Sequence, residues 1–175
     1  VWICSVGTPP GPRPPRPLPQ AVLFDRDGTL VENVPYNGDP RRVRPAAGAR
    51  RALAELRARG VALGVVTNQS GVGRGLLERS QVQAVHERIA ELLGPFDVWA
   101  VCPHAPWEGC LCRKPAPGLV LAAMARVSAA PDRTVVIGDA PTDVGSARAA
   151  GALGVLLPSP GVGILTAVRL LFQGG

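Results

Sequence analysis

Short unbroken apolar runs alternate along this chain with longer stretches of helical periodicity. "AVLF" at 21–24 predicts a strand that ends in charged residues, and "VALGVVT" at 61–67 predicts a buried strand. Strands are also expected over 97–102, 134–139 and 154–157. Between them, helical spacing predicts helices over 46–59, closed by Gly60, and over 80–93, opened by a capping box of Ser80 and Gln83 and stopped by Gly94-Pro95. Further helices are expected over 119–127 and 143–150, with a short apolar helix after Pro158. Strand-helix alternation with strands apolar on both faces implies α/β architecture, a central parallel sheet covered by helices on each side.

Ligands of such sheets sit outside the carboxyl ends of the strands. The polar residues that directly follow the strands therefore mark a site: Asp25 and Asp27, Thr67 and Asn68, Cys102 and His104, and Asp139. Asp25 and Asp27 are two apart, so in extended backbone they point to one side, and Gly28 lets the chain turn away. Carboxylates converging on one sheet edge repel one another unless a cation lies among them, and hard oxygen donors suit magnesium. A carboxylate attacking a phosphate dianion needs that cation to offset like charge, after which covalent catalysis through an aspartyl phosphate becomes feasible. Asp27 is spaced to protonate the leaving oxygen and later to take a proton from water. Thr67 reads either as a donor to the phosphoryl group or as an ordinary β-branched strand residue.

Composition changes this picture in three places. The 175 residues make one domain's length, and the formal charge of +6 rests on arginine. With no aromatic residues interleaved among those arginines, they predict solvated helix faces rather than a nucleic-acid partner. Lys114 is the only lysine, two residues past Cys112. A compact ammonium reaches into a tight site as a point charge where a guanidinium fork fits poorly, which makes Lys114 a candidate for the phosphoryl oxygens. Cys102, His104, Cys110 and Cys112 supply three thiolates and an imidazole, the donor set of a closed tetrahedral zinc site that would clamp the loop carrying Arg113 and Lys114.

No apolar run approaches the roughly 18 residues that span a bilayer, and "VWICSV" is too short for a signal-peptide core. A cytoplasmic monomer with no membrane and no nucleic-acid partner is expected. The proline-rich stretch 7–20 lacks apolar surface to pack, so residues 1–20 read as a disordered extension and 21–175 as the domain.

Together, "DRDGTL", "TNQSGVGRG", "CPH" with "CLCRKP", and "IGD" resemble the haloacid-dehalogenase-like phosphatases over about residues 21–157. More narrowly they are similar to the zinc-containing, small-cap branch that includes heptose 1,7-bisphosphate 7-phosphatases and histidinol-phosphate phosphatases. The resemblance implies a Rossmann-like three-layer α/β/α fold with a minimal cap and a zinc-binding loop. It implies Asp25 as nucleophile and Asp27 as general acid/base, with magnesium on Asp25, the Asp27 carbonyl and Asp139. It further implies Thr67 and Lys114 on the phosphoryl group, with Arg113, Asn68, Gln69, Ser70, Asn33 and Tyr36 toward a small phosphorylated sugar. The matching zinc ligands are Cys102, His104, Cys110 and Cys112.

Two departures bear on the substrate. Only five residues separate His104 from Cys110, and Ala140 stands where the heptose enzymes often carry a lysine. Histidinol phosphate or another small phosphomonoester is therefore the second reading. A non-catalytic zinc-loop binding module is the third, although it would be expected to lack Asp25, Asp27, Lys114 or Asp139. Asp143 reads equally as an orienter of Lys114 or of magnesium waters and as a plain helix N-terminal carboxylate.

Overall fold

A computed structural model describes residues 17–157 and 163–173. Five strands, β1 (Ala21–Phe24), β2 (Ala62–Asn68), β3 (Val98–Cys102), β4 (Thr134–Gly138) and β5 (Leu153–Leu156), form one all-parallel sheet in the order β3-β2-β1-β4-β5. Five helices cover it: α1 (Ala49–Arg57), α2 (Arg79–Leu93), α3 (Gly118–Arg126), α4 (Pro141–Ala149) and α5 (Ile164–Leu170).

The period-2 alternation of the strands divides the core into two layers. Val22, Phe24, Val65 and Ile137 pack with Leu53 and Leu56 of α1, Val85 and Ile89 of α2 and Val168 of α5. Leu23, Val66 and Val136 face the other way, onto Val120 and Met124 of α3 and Ala147 of α4. The fold is thus the expected three-layer α/β/α sandwich. Truncating a fully buried residue such as Leu53 to alanine would cost about 2–5 kcal/mol.

Several boundaries differ from the sequence reading, each for a local reason. The first helix starts at Ala49 rather than at 46, because Gly48 sits at φ 81° and breaks the helical path. Helix α2 is entered through Glu78, not Ser80: the Gln81 side chain accepts the Glu78 N–H at 2.8 Å, so the expected Ser80–Gln83 box is displaced by two residues. Pro141 opens α4 two residues ahead of Asp143, since its missing N–H costs nothing in the first turn. Residues 17–20, expected to belong to the disordered extension, are instead tied to the domain. The Gln20 N–H donates to the Arg133 carbonyl at 2.7 Å, and the Arg133 guanidinium donates to the Leu18 carbonyl. The rest of that expected extension, residues 1–16, lies outside the described residues. Among the described residues, no helix is long and apolar enough to cross a membrane.

Candidate active site

Strand order reverses direction between β1 and β4, which are hydrogen-bonded neighbours with Phe24 level with Ile137. The crevice beyond their carboxyl ends is where such sheets bind ligands. Asp25 leaves β1 and Asp139 leaves β4 at this point, and Asp143 comes up from the first turn of α4. One carboxylate oxygen from each of the three lies within 4.8 Å of the others.

Lys114 enters this acidic group from the loop after β3 and is 3% exposed. Its Nζ donates to Asp25 Oδ1 at 2.6 Å and to the Val66 carbonyl at 2.8 Å, and it is ion-paired with Asp143 Oδ1 at 2.5 Å. The ammonium charge is thus shared between two carboxylates and a backbone carbonyl. Asp143 joins the two roles that sequence left as alternatives: Oδ1 holds Lys114, while Oδ2 accepts the Ala140 N–H at 3.0 Å and caps α4. Burial raises the Asp25 carboxyl to about 6 despite the opposing charge of Lys114, and the charges of Asp143 and Asp27 push the same way as burial. Asp139 is likewise raised, first by burial and then by Asp143.

A second network holds Asp27. The Arg26 guanidinium donates to it, with Nη2 at 2.9 Å from Oδ2, and Gln69 Nε2 donates to Oδ2 at 2.9 Å and to Thr67 Oγ1 at 2.9 Å. Arg26 Nη2 closes the circuit on Gln69 Oε1 at 2.9 Å. Arg26 is 1% exposed, the largest fully buried side chain, and no sequence signal singled it out. The backbone bends immediately after β1, where Leu30 and Val31 donate back to the Arg26 carbonyl, and that bend lets the arginine fold over its neighbour.

The structure brings Asp25, Asp27, Thr67, Lys114 and Asp139 together. Asn68 and Gln69, expected toward substrate, spend their amides inside the protein. Asn68 grips the Lys114 backbone from both sides, accepting its N–H at 3.1 Å and donating to its carbonyl at 3.2 Å. Both residues thereby act as positioning groups, for Lys114 and Asp27 respectively. Arg113 keeps a buried Nη1 without a hydrogen-bond partner. Ser70 contributes its carbonyl to the Arg74 N–H, while Asn33 and Tyr36 are exposed on the loop that follows β1.

Gly28 fits the chain to this crowding. It sits at φ 85°, and a Cβ there would run into the Asp139 carboxylate. The Asp139 oxygens thus lie directly against the backbone turn of β1, a cradle of hard oxygen donors with the chemistry of a magnesium site.

The Cys/His cluster is assembled as a compact group beside α3. Cys102 Sγ lies 3.6 Å from Cys110 Sγ, Cys112 Sγ lies 3.5 Å from Cys110 Sγ, and His104 Nδ1 lies 3.5 Å and 3.2 Å from Cys102 and Cys112. Metal–sulfur bonds of about 2.3 Å give tetrahedral edges of roughly 3.8 Å, so these spacings fit one zinc ion. Burial pushes the Cys102 thiol up to about 12; against its burial, the Arg113 amide and the neighbouring thiols draw Cys110 down to about 7.

A lone ammonium wedged among carboxylates at a switch point suits the handling of phosphate esters, and the molecule falls in the class of doubly wound α/β hydrolases. Comparison with known proteins narrows the class. The family description "haloacid dehalogenase-like hydrolase" matches residues 36–151, and the chain belongs to that family. It is 35% identical over 146 residues to the D-glycero-beta-D-manno-heptose-1,7-bisphosphate 7-phosphatase of Rhodopseudomonas palustris, covering 77% of this chain and 81% of the relative. It is 38% identical over 130 residues to the corresponding alpha-heptose enzyme of Mycobacterium tuberculosis, covering 70% and 68%. Among solved structures, the D,D-heptose 1,7-bisphosphate phosphatase of Bordetella bronchiseptica, complexed with magnesium and phosphate, superposes with a TM-score of 0.79 at 26% identity, covering 89% of this chain and 99% of the other.

Proposed function

We propose that this chain is a magnesium-dependent phosphatase that removes one phosphoryl group, the 7-phosphate, from D-glycero-D-manno-heptose 1,7-bisphosphate. The observation that carries the reading is the Asp25 carboxylate at the end of β1, held at 2.6 Å by Lys114 and facing Asp139 across the switch point. Relatives from three bacteria that carry the heptose bisphosphatase name support the substrate.

An Asp25 oxygen attacks phosphorus, forming an aspartyl phosphate while the bond to the sugar oxygen breaks. Asp27, fixed by Arg26 and Gln69, gives its proton to the departing oxygen. It then takes a proton from the water that cleaves the acyl phosphate, releasing orthophosphate and restoring the Asp25 carboxylate and the protonated Asp27. Lys114 and the Thr67 hydroxyl meet the charge spread over the transferring oxygens. Asp25, Asp139 and the Asp27 carbonyl would hold magnesium, which supplies charge neutralisation between nucleophile and phosphate. Zinc on Cys102, His104, Cys110 and Cys112 would have no open position; its part is to hold the loop that presents Arg113 and Lys114.

Ala140 favours one competing substrate class. It places no charge beside Asp139, which suits an ester with a single phosphate. The chain is also 32% identical over 133 residues to a bifunctional histidine biosynthesis protein of Legionella pneumophila, although it spans 38% of that protein. The test is phosphate release, with and without magnesium, from both heptose bisphosphate anomers, histidinol phosphate and common hexose phosphates. A strong preference for a heptose bisphosphate, lost in Asp25→Asn, is expected; turnover retained in that variant would sink the mechanism.

A further inference from the structure

A bisphosphate brings two dianions, and the acidic crevice accounts for only the one that reacts. Lys114 is committed to Asp25 and Asp143, and Arg26 to Asp27 and Gln69. The second phosphate calls for a further cation, and besides Arg113, whose Nη1 is buried without a partner, the three loops that rise from the ends of β1, β2 and β3 offer one.

Those loops meet at one arginine. Arg74, on the turn after β2, lies 5.1 Å from the Trp107 ring centroid and 6.0 Å from that of Tyr36. Trp107 belongs to the Cys/His loop and is 71% exposed; Tyr36 belongs to the loop after β1 and is 47% exposed. Large exposed aromatics are uncommon in a chain only 4% aromatic, and here two of them bracket one cation. A guanidinium held against aromatic rings keeps its charge and can still donate N–H groups to an anion. Among the described residues Arg74 has no carboxylate within ion-pair distance. The nearby Glu108 carboxylate accepts the Ala105 N–H through Oε1 and forms no ion pair with Arg74.

The seam is built to hold this arrangement. Tyr36 is kept at φ 49°, a left-handed conformation that costs a bulky residue energy and that clusters at binding sites. A Cβ at Gly71 would press on the Tyr36 ring at 3.0 Å, and one at Gly73 would meet the Ala105 nitrogen at 2.5 Å. The Gly73 N–H donates to the Pro103 carbonyl at 2.8 Å, tying the turn directly to the Cys/His loop.

We propose that Arg74, bracketed by Tyr36 and Trp107 where the three loops meet, is the specificity-determining cation that receives the second, non-reacting phosphate of a sugar bisphosphate. The inference rests on the bisphosphatase reading above. It assigns to this turn the charge that Ala140 does not provide.

The test compares wild type, Arg74→Gln, Arg74→Lys and Trp107→Ala on heptose 1,7-bisphosphate and on heptose 7-phosphate, with zinc content and thermal melts confirming the fold. Arg74→Gln is expected to raise KM for the bisphosphate about 10- to 100-fold, the range of a lost charge-assisted hydrogen bond, with kcat moving far less. The preference for bisphosphate over monophosphate should collapse by the same factor. Arg74→Lys should recover part of it, and Trp107→Ala should lose about two- to fivefold. Should wild type prefer the bisphosphate and Arg74→Gln keep that preference, the inference alone is overturned. A wild type with no such preference overturns the substrate reading and this inference with it.

Discussion

Replacing Lys114 by methionine keeps most of the buried stem and removes only the charge, so it isolates what the ammonium does. Two carboxylates, Asp25 and Asp143, and the Val66 carbonyl lose their shared cation at a position 3% exposed. Breaking a buried pair by deleting one partner costs about 3–5 kcal/mol. For a domain of this size that is a fall in Tm of roughly 6–20 °C. The loss must also depend on pH. Asp25 is raised to about 6 in the folded protein from 3.8, so the folded state holds a proton that the unfolded chain has released between those values. Stability therefore falls as pH climbs through that window, by about 3 kcal/mol in total, and levels off above 6. Lys114 opposes that rise, so in Lys114→Met the Asp25 carboxyl moves higher still and stability goes on falling past pH 6. Urea unfolding in EDTA at pH 5 and pH 8 reads this directly. The gap between variant and wild type should widen by about 1.4 kcal/mol for each further unit of rise. Equal gaps at the two pH values would refute the pairing of Lys114 with Asp25.

Gly28→Ala should lower magnesium affinity at least tenfold and destabilise by about 1–2 kcal/mol, because φ 85° is costly for an L side chain and the new methyl meets the Asp139 carboxylate; isothermal titration and melts check it. Native mass spectrometry should find one zinc per chain, absent in Cys110→Ser, with a Tm lower by roughly 10 °C and phosphatase activity reduced because Lys114 follows the cluster by two residues. His86, stacked on Trp99 at 4.4 Å, is held neutral by burial and by the charge of Arg26, which lower it to about 3, and its Nε2 lacks a partner. His86→Phe should therefore raise stability by about 1 kcal/mol in urea unfolding.

The strands were legible because a parallel sheet covered on both faces demands continuous apolar runs, and "AVLF" and "VALGVVT" supply them. The residues that follow those runs were legible for the same reason, since the strand-end rule needs only the strand boundaries. What spacing could not carry is which way the polar side chains turn. Asn68 meets Lys114 across 46 positions, and Gln69 meets Asp27 across 42, so nothing local distinguishes a substrate ligand from a brace. Arg26 was hidden for a different reason. Strand alternation sets it opposite Asp25 and Asp27, and only the bend after β1 returns its guanidinium to Asp27.

Charge accounts for the logic of the site as a whole. Asp25, Asp139 and Asp143 converge on one buried cation, Lys114, while Asp27 lies with Arg26, which leaves two negative charges uncompensated at the switch point. A divalent cation balances them, whereas a further arginine would need a fork-shaped space that Lys114 and its three acceptors already fill. Once that balance is struck, an incoming phosphate dianion has little repulsion left to overcome, and a second dianion on the same substrate needs a cation other than Lys114. The single lysine, the bare position 140 and the aromatic-bracketed Arg74 are therefore parts of one distribution of charge: a compact cation inside, where phosphorus is attacked, and a forked one at the rim.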